Sequence, residues 1–171
     1  MGLNFQMDAG TKPFRRKLSQ PEFTAWKVVR DVPGTRDCKP PHKGGPGWLS
    51  LIRGCRVVAG RMYADSPDNL SPHGIRGGRA QVPEVLIEDC MGALYPAGFH
   101  CYLRRKDARR VRRAESGHGG DGKICILKVR IRSRDVLATG VEEIELLGGF
   151  VPTVYAPVVV ASSMNVMGSA R

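Results

Sequence analysis

Apolar and polar residues alternate most regularly between residues 126 and 134. Leu127, Val129 and Ile131 fall on one side, and Lys128, Arg130, Arg132 and Arg134 on the other. A period of two is that of a β-strand with one face in a core and one in water. The stretch therefore predicts a strand with a ladder of cations along its outer face. FTAWKVVR (23–30), VEEIELL (141–147) and VPTVYAPVVVASS (151–163) also read as strands, because they are short and rich in β-branched residues. In AGFHCYL (97–103), a strand puts Phe99, Cys101 and Leu103 on one face and His100 and Tyr102 on the other. WLSLIRGCRVVAGRMY (48–63) predicts two short strands broken near Gly54.

Helix is expected in two places. VPEVLIEDCMGAL (82–94) carries Pro83 in what would be its first turn, where a missing N–H costs nothing. KDARRVRRAE (106–115) is built of helix-forming residues and ends in the glycines of 117–122. Residues 31–47 and 65–81 are too rich in Gly and Pro for either element and read as two long loops. Strands do not alternate with long helices, so the expected class is α+β: mostly β, a mixed or antiparallel sheet with one or two short helices.

A chain of 171 residues, 42% hydrophobic and 25% charged, suits one globular domain. Residues 1–22 lack hydrophobic periodicity and read as a flexible basic arm carrying Lys12, Arg15, Arg16 and Lys17, ahead of a single domain over 23–171. Five cysteines, an odd number without a CxxC pair, point to reduced thiols and a cytoplasmic protein. Neither a signal peptide nor an apolar run of transmembrane length is expected, and no membrane partner.

Charge changes the picture more. The chain has 27 Lys and Arg against 16 Asp and Glu, a net +11, which favours anionic partners. Seven of the ten residues from Arg104 to Arg113 are basic: Arg104, Arg105, Lys106, Arg109, Arg110, Arg112 and Arg113, with Asp107 the one opposing charge. With the ladder of Lys128, Arg130, Arg132 and Arg134 they form the expected polyanion-binding set, whose partner is nucleic acid or a nucleotide. Phosphate contacts of this kind position a ligand without reading its sequence. An acidic protein partner is the alternative.

Catalytic chemistry leaves fewer marks. Cys90, His100, Cys101, His118 and Cys125 lack the short spacing of a structural zinc site, and no metal or cofactor is expected. No nucleophile elbow, Walker A loop or dinucleotide fingerprint occurs. Glu142, Glu143 and Glu145 open a strand on which Glu143 and Glu145 share a side.

Two resemblances add to this reading. WKVVR, AGRMY and AGFHCYLRRKDA, in that order, resemble short proteins of bacteriophages and mobile elements that share a Gly-Phe-His strand leading into a helix. The order of elements also resembles the ADP-ribosyltransferase fold. That likeness implies Arg30 on an early strand, His100 and Tyr102 on a middle strand to orient NAD, and Glu143 or Glu145 to polarise the ribose. Phe99-His100-Cys101 stands where those transferases carry Ser-Thr-Ser.

Overall fold

The structure, a computed structural model, describes residues 3–31, 48–50, 56–57, 60–63, 86–88, 91–96, 98–117, 123–144 and 154–170. Its centre is a pair of ten-residue strands, β2 (Glu22–Asp31) and β9 (Lys123–Arg132). They run antiparallel in unbroken register from Glu22 opposite Arg132 to Asp31 opposite Lys123. Phe23, Ala25 and Val29 lie on the same side as Leu127, Val129 and Ile131, which are all buried.

Around this pair the other strands are β1 (Phe5–Gln6), β3 (Trp48–Ser50), β4 (Arg56–Val57), β5 (Gly60–Tyr63), β8 (Phe99–Tyr102), β10 (Val136–Ile144), β11 (Val154–Ala161) and β12 (Ser163–Ala170). Together they make one ten-stranded sheet in the order β1-β10-β11-β8-β2-β9-β12-β5, with β3 and β4 reached from β2. Every pairing is antiparallel, so the expected α+β, mostly β architecture holds. A separate hairpin joins β6 (Leu86–Glu88) to β7 (Leu94–Pro96).

Both faces of the sheet are covered. On one, α1 (Lys12–Leu18) inserts fully buried Phe14 among Phe23, Phe99, Leu127 and Val159. On the other, α2 (Arg105–Ser116) lays Ala108 and Val111 onto Val28, Tyr102, Ile126 and Val158. Alternate residues of β11, and of β2 and β9 around Val28, Ile124 and Ile126, therefore go to two different cores rather than to core and water. Each buried aliphatic side chain contributes roughly 1.5–3 kcal/mol, so the central strands are held from both sides.

Three expectations are corrected. The stretch over 1–22 does not stand apart as an arm: Phe5 and Gln6 pair with Val141 and Gly140, and Phe14 is fully buried. Scattered apolar residues without periodicity are enough, because Met7, Phe14 and Leu18 join the core on one face of the sheet and Leu3 the core on the other. Within 82–94 the described residues form the β6–β7 hairpin in place of a helix, with Gly92 at φ 80 after its turn. A positive φ is costly for any residue with a Cβ and free for glycine. Among the described residues of 48–63 there are three short strands: β3 and β4 pair with each other, while β5 crosses to β12 at the far edge. The two expected long loops, apart from Asp31 at the end of β2, lie outside the described residues.

Candidate functional site

The basic helix owes its orientation to an acid. Asp107 sits in the first turn of α2, fully buried, and takes Arg104 Nε at 2.5 Å and Arg110 Nη1 at 3.4 Å. A carboxylate near a helix N-terminus also meets the positive end of the helix dipole. With Asp107, Ala108 and Val111 turned to the sheet, Lys106, Arg109 and Arg113 are left exposed and Arg112 half-buried. These four make no ion pair among the described residues.

The strand ladder is real for three of its four members. Lys128 and Arg130 are exposed and Arg132 half-buried, on one face of β9. Arg134 is not in the ladder: the strand ends at Arg132, and Arg134 belongs to a 3-10 turn, Ser133–Asp135, beside the Asp135 carboxylate at 4.0 Å. Arg130 and Arg132 both approach Glu22, at 3.9 and 3.7 Å. Exposed pairs at such distances are worth at most about 1 kcal/mol, so they leave both guanidinium groups open to a stronger anion. They line a small cleft of about 150 Å³ with Glu22, Asp135 and Ser163.

Helix and strand charges meet at one place. Register puts Tyr102, Trp26, Lys128 and Gly168 side by side in a row across β8, β2, β9 and β12. Arg105, at the start of α2, reaches the same row. Arg105, Lys128, Trp26, Met167, Gly168 and Ser169 line a cleft of about 310 Å³. A bulge between Val166 and Gly168 shapes its outer wall, and Gly168 has a φ of +138 that a side chain would resist. Sequence reasoning named Arg105 and Lys128 but missed Trp26 and Met167. The signal for Trp26 was its two-residue offset from Thr24 and Val28 on the strand pattern.

The cations of α1 lie across the sheet from α2. Lys12, Arg15 and Arg16 border an open hollow of about 620 Å³, while Lys17 donates to the Thr24 carbonyl at 3.4 Å.

Beneath α2 is a buried polar group. Tyr102 Oη donates to Glu142 Oε2 at 2.7 Å, and both residues are buried. Burial, chiefly, raises the Glu142 carboxyl above its ordinary value of 4.5, against the pull of the Tyr102 hydrogen bond. Burial and the adjacent Glu142 carboxylate hold the Tyr102 hydroxyl well above its ordinary value. The Leu3 N–H donates to Tyr95 Oη at 3.0 Å, and the same hydroxyl lies 3.1 Å from His100 Nε2. His100 Nδ1 is 3.1 Å from the Gly98 carbonyl, which can only accept. Nδ1 therefore carries a proton and donates to it. Where the β8–β2 ladder stops after Trp26 and Tyr102, buried Lys27 donates from Nζ to the His100 carbonyl at 3.3 Å. Burial pushes the neighbouring Cys101 thiol up to about 12, with Lys27 pulling the other way.

The transferase-like set does not assemble around this group. Its His100 and Tyr102 are each 2% exposed and bonded inward. Glu143 is exposed on the other face of β10, where it accepts from Asn4 Nδ2 at 3.0 Å. The carboxylate facing Tyr102 is that of Glu142. Arg30 is half-buried on β2 opposite Ile124, and Glu145 lies outside the described residues. Among the described residues no group of three or more His, Cys, Asp or Glu is placed to hold a metal, and no helix is long and apolar enough to cross a membrane.

Comparison of the chain with protein-family models, with curated proteins and with solved structures finds no match.

Proposed function

We propose that this domain binds a phosphate polyanion, nucleic acid or a nucleotide, on the surface formed by α2 and β9, and that it acts there by binding rather than by catalysis. One observation carries the reading: Arg105 and Lys128, from separate cationic stretches of the sequence, line a single cleft. The helix charges and the strand charges are thereby joined into one surface. Lys106, Arg109, Arg112 and Arg113 extend that surface along α2, and Arg130 extends it along β9.

The alternatives fare less well. A nucleotide-processing role of transferase type would need Arg30, His100, Tyr102 and either Glu143 or Glu145 around one substrate, and His100 and Tyr102 are sealed in the core. An acidic protein partner would use the same cations, so binding experiments must separate it from nucleic acid. The direct test is binding of a fluorescent oligonucleotide over a series of salt concentrations. A polyanion site gives affinity that falls steeply with salt; no binding at the lowest ionic strength would sink the reading.

A further inference from the structure

A surface that recognises phosphate alone needs cations and nothing else. The cleft at the start of α2 has more than that. Trp26 and Met167 give it apolar walls, Arg105 and Lys128 give it positive charge, and Gly168 and Ser169 keep its rim low. Met167 stands 48% exposed, an apolar side chain with water on its free side. Trp26 and Lys128 are direct cross-strand partners on one sheet face, so ring and ammonium are neighbours rather than chance companions. Ring beside cation is the pairing that a nucleotide offers in reverse, a flat base linked to a phosphate.

Resting on the polyanion reading above, we infer that this cleft takes one unpaired base of a single-stranded nucleic acid against Trp26, with the flanking phosphates on Arg105 and Lys128. The cleft's volume, about 310 Å³, lies at the low end of the range for small-ligand sites. It has room for one nucleotide and none for a duplex. A base held in a duplex is stacked on both sides and has no free face for Trp26, whereas a single strand can turn a base out. The cations on the outer side of α2 continue from the cleft, so a strand has further contacts that a free nucleotide lacks.

The bulge at Gly168 belongs to the same device. A Cβ built on this glycine meets nothing within 4 Å. Any side chain there would project into open space at the cleft's edge and compete with a ligand.

The test compares one single-stranded oligonucleotide with its own duplex, by fluorescence anisotropy at low salt, on the full chain. Wild type should bind the strand about ten-fold more tightly, the scale of one base stacked on an aromatic ring. Trp26→Leu should abolish that preference while leaving the salt dependence unchanged, and Trp26→Phe should restore part of it. Because Trp26 also touches the core under α2, a second variant acts from the exposed rim. Ser169→Leu should fill the cleft and remove the preference without altering the thermal melt. Equal binding of strand and duplex by wild type overturns the inference and leaves the polyanion reading standing. So does a preference that survives both Trp26→Leu and Ser169→Leu. Binding of neither nucleic acid overturns both. A nucleoside monophosphate that displaces the oligonucleotide as well as a competing strand does would overturn the assignment to a strand and move the site to free nucleotides.

Discussion

Trp26 of β2 and Lys128 of β9 sit directly opposite each other, with Tyr102 on the far side of Trp26 and Gly168 on the far side of Lys128. One end of this row is a buried acid-phenol pair and the other is an open cationic cleft. The same face of the sheet thus forms a core under α2 and an open cationic cleft at its first turn. α2 itself is fastened by its small buried positions, Ala108 and Val111, and by Asp107 beneath the arginines. Its outer side is left to the cations.

Neutralising part of the helix should weaken binding in a way that salt reveals. Replacing Arg109, Arg112 and Arg113 together by Gln removes three cations on the outer side of α2. Each phosphate contact on a single strand contributes about 0.7 to the slope of log K against log salt. The triple variant should flatten that slope by about 2 if all three meet phosphate, with no change in melting temperature beyond a degree or two. Anisotropy titrations at four or five salt concentrations decide it. An unchanged slope places the ligand elsewhere.

Removing the Tyr102 hydroxyl should cost stability well beyond a lost ring contact. Tyr102→Phe leaves Glu142 buried without the donor at 2.7 Å. A hydrogen bond to a charged buried group is worth about 1.5–3 kcal/mol. Urea unfolding should show a loss of that size. In the double variant Tyr102→Phe with Glu142→Leu the loss should be smaller than the sum of the single losses, since no polar group is then stranded. Additive losses would mean the two side chains act independently.

The same carboxylate should give the fold a pH dependence of a definite sign. Burial raises Glu142 above its ordinary 4.5, so between 4.5 and the raised value the native state binds more protons than the unfolded chain. Stability then falls as pH rises through that window. The contribution of protonated Glu142 is fully present below 4.5 and lost above the raised value. Urea midpoints followed upward from pH 4.5 to neutrality should decline in wild type and decline less in Glu142→Gln. Tyr102→Phe should carry the decline to higher pH, because the Tyr102 hydrogen bond holds the carboxyl down.

Cys101 should be inert in the native protein. It is fully buried and its thiol is pushed up to about 12, so almost no thiolate forms near neutral pH. Iodoacetamide labelling read by peptide mapping should modify Cys101 only after unfolding. Cys125, half-buried on β9, should label faster. Rapid native labelling of Cys101 would show that the sheet opens between β8 and β2.

Some of this molecule was plain in its order of residues. The strand through Leu127, Val129 and Ile131 alternates cleanly because its outer neighbours are cations that cannot be buried. The helix over 106–115 was legible from its helix-forming residues and the glycines that follow it at 117–122. Local chemistry determined both elements, and with them the basic character of one surface.

Other features depended on partners distant in the chain. VEEIELL does not say which glutamate is buried, because apolar residues fall on both of its faces: Val141 on one and Ile144 on the other, both buried. Glu142 rather than Glu143 faces inward since β11 sets its register against Tyr102, forty residues away in sequence. Lys27 follows Phe23 and Ala25 on the core side of β2, and the early end of the β8 ladder leaves the His100 carbonyl within its reach. The hairpin of β6 and β7 wins over a helix through a pairing that propensity does not see. Periodicity and charge, which act between neighbours, thus determined β9, α2 and the sign of the surface they carry. Register and the crossing of α2 over the sheet, which act between distant residues, decided that Arg105, Lys128 and Trp26 share one cleft.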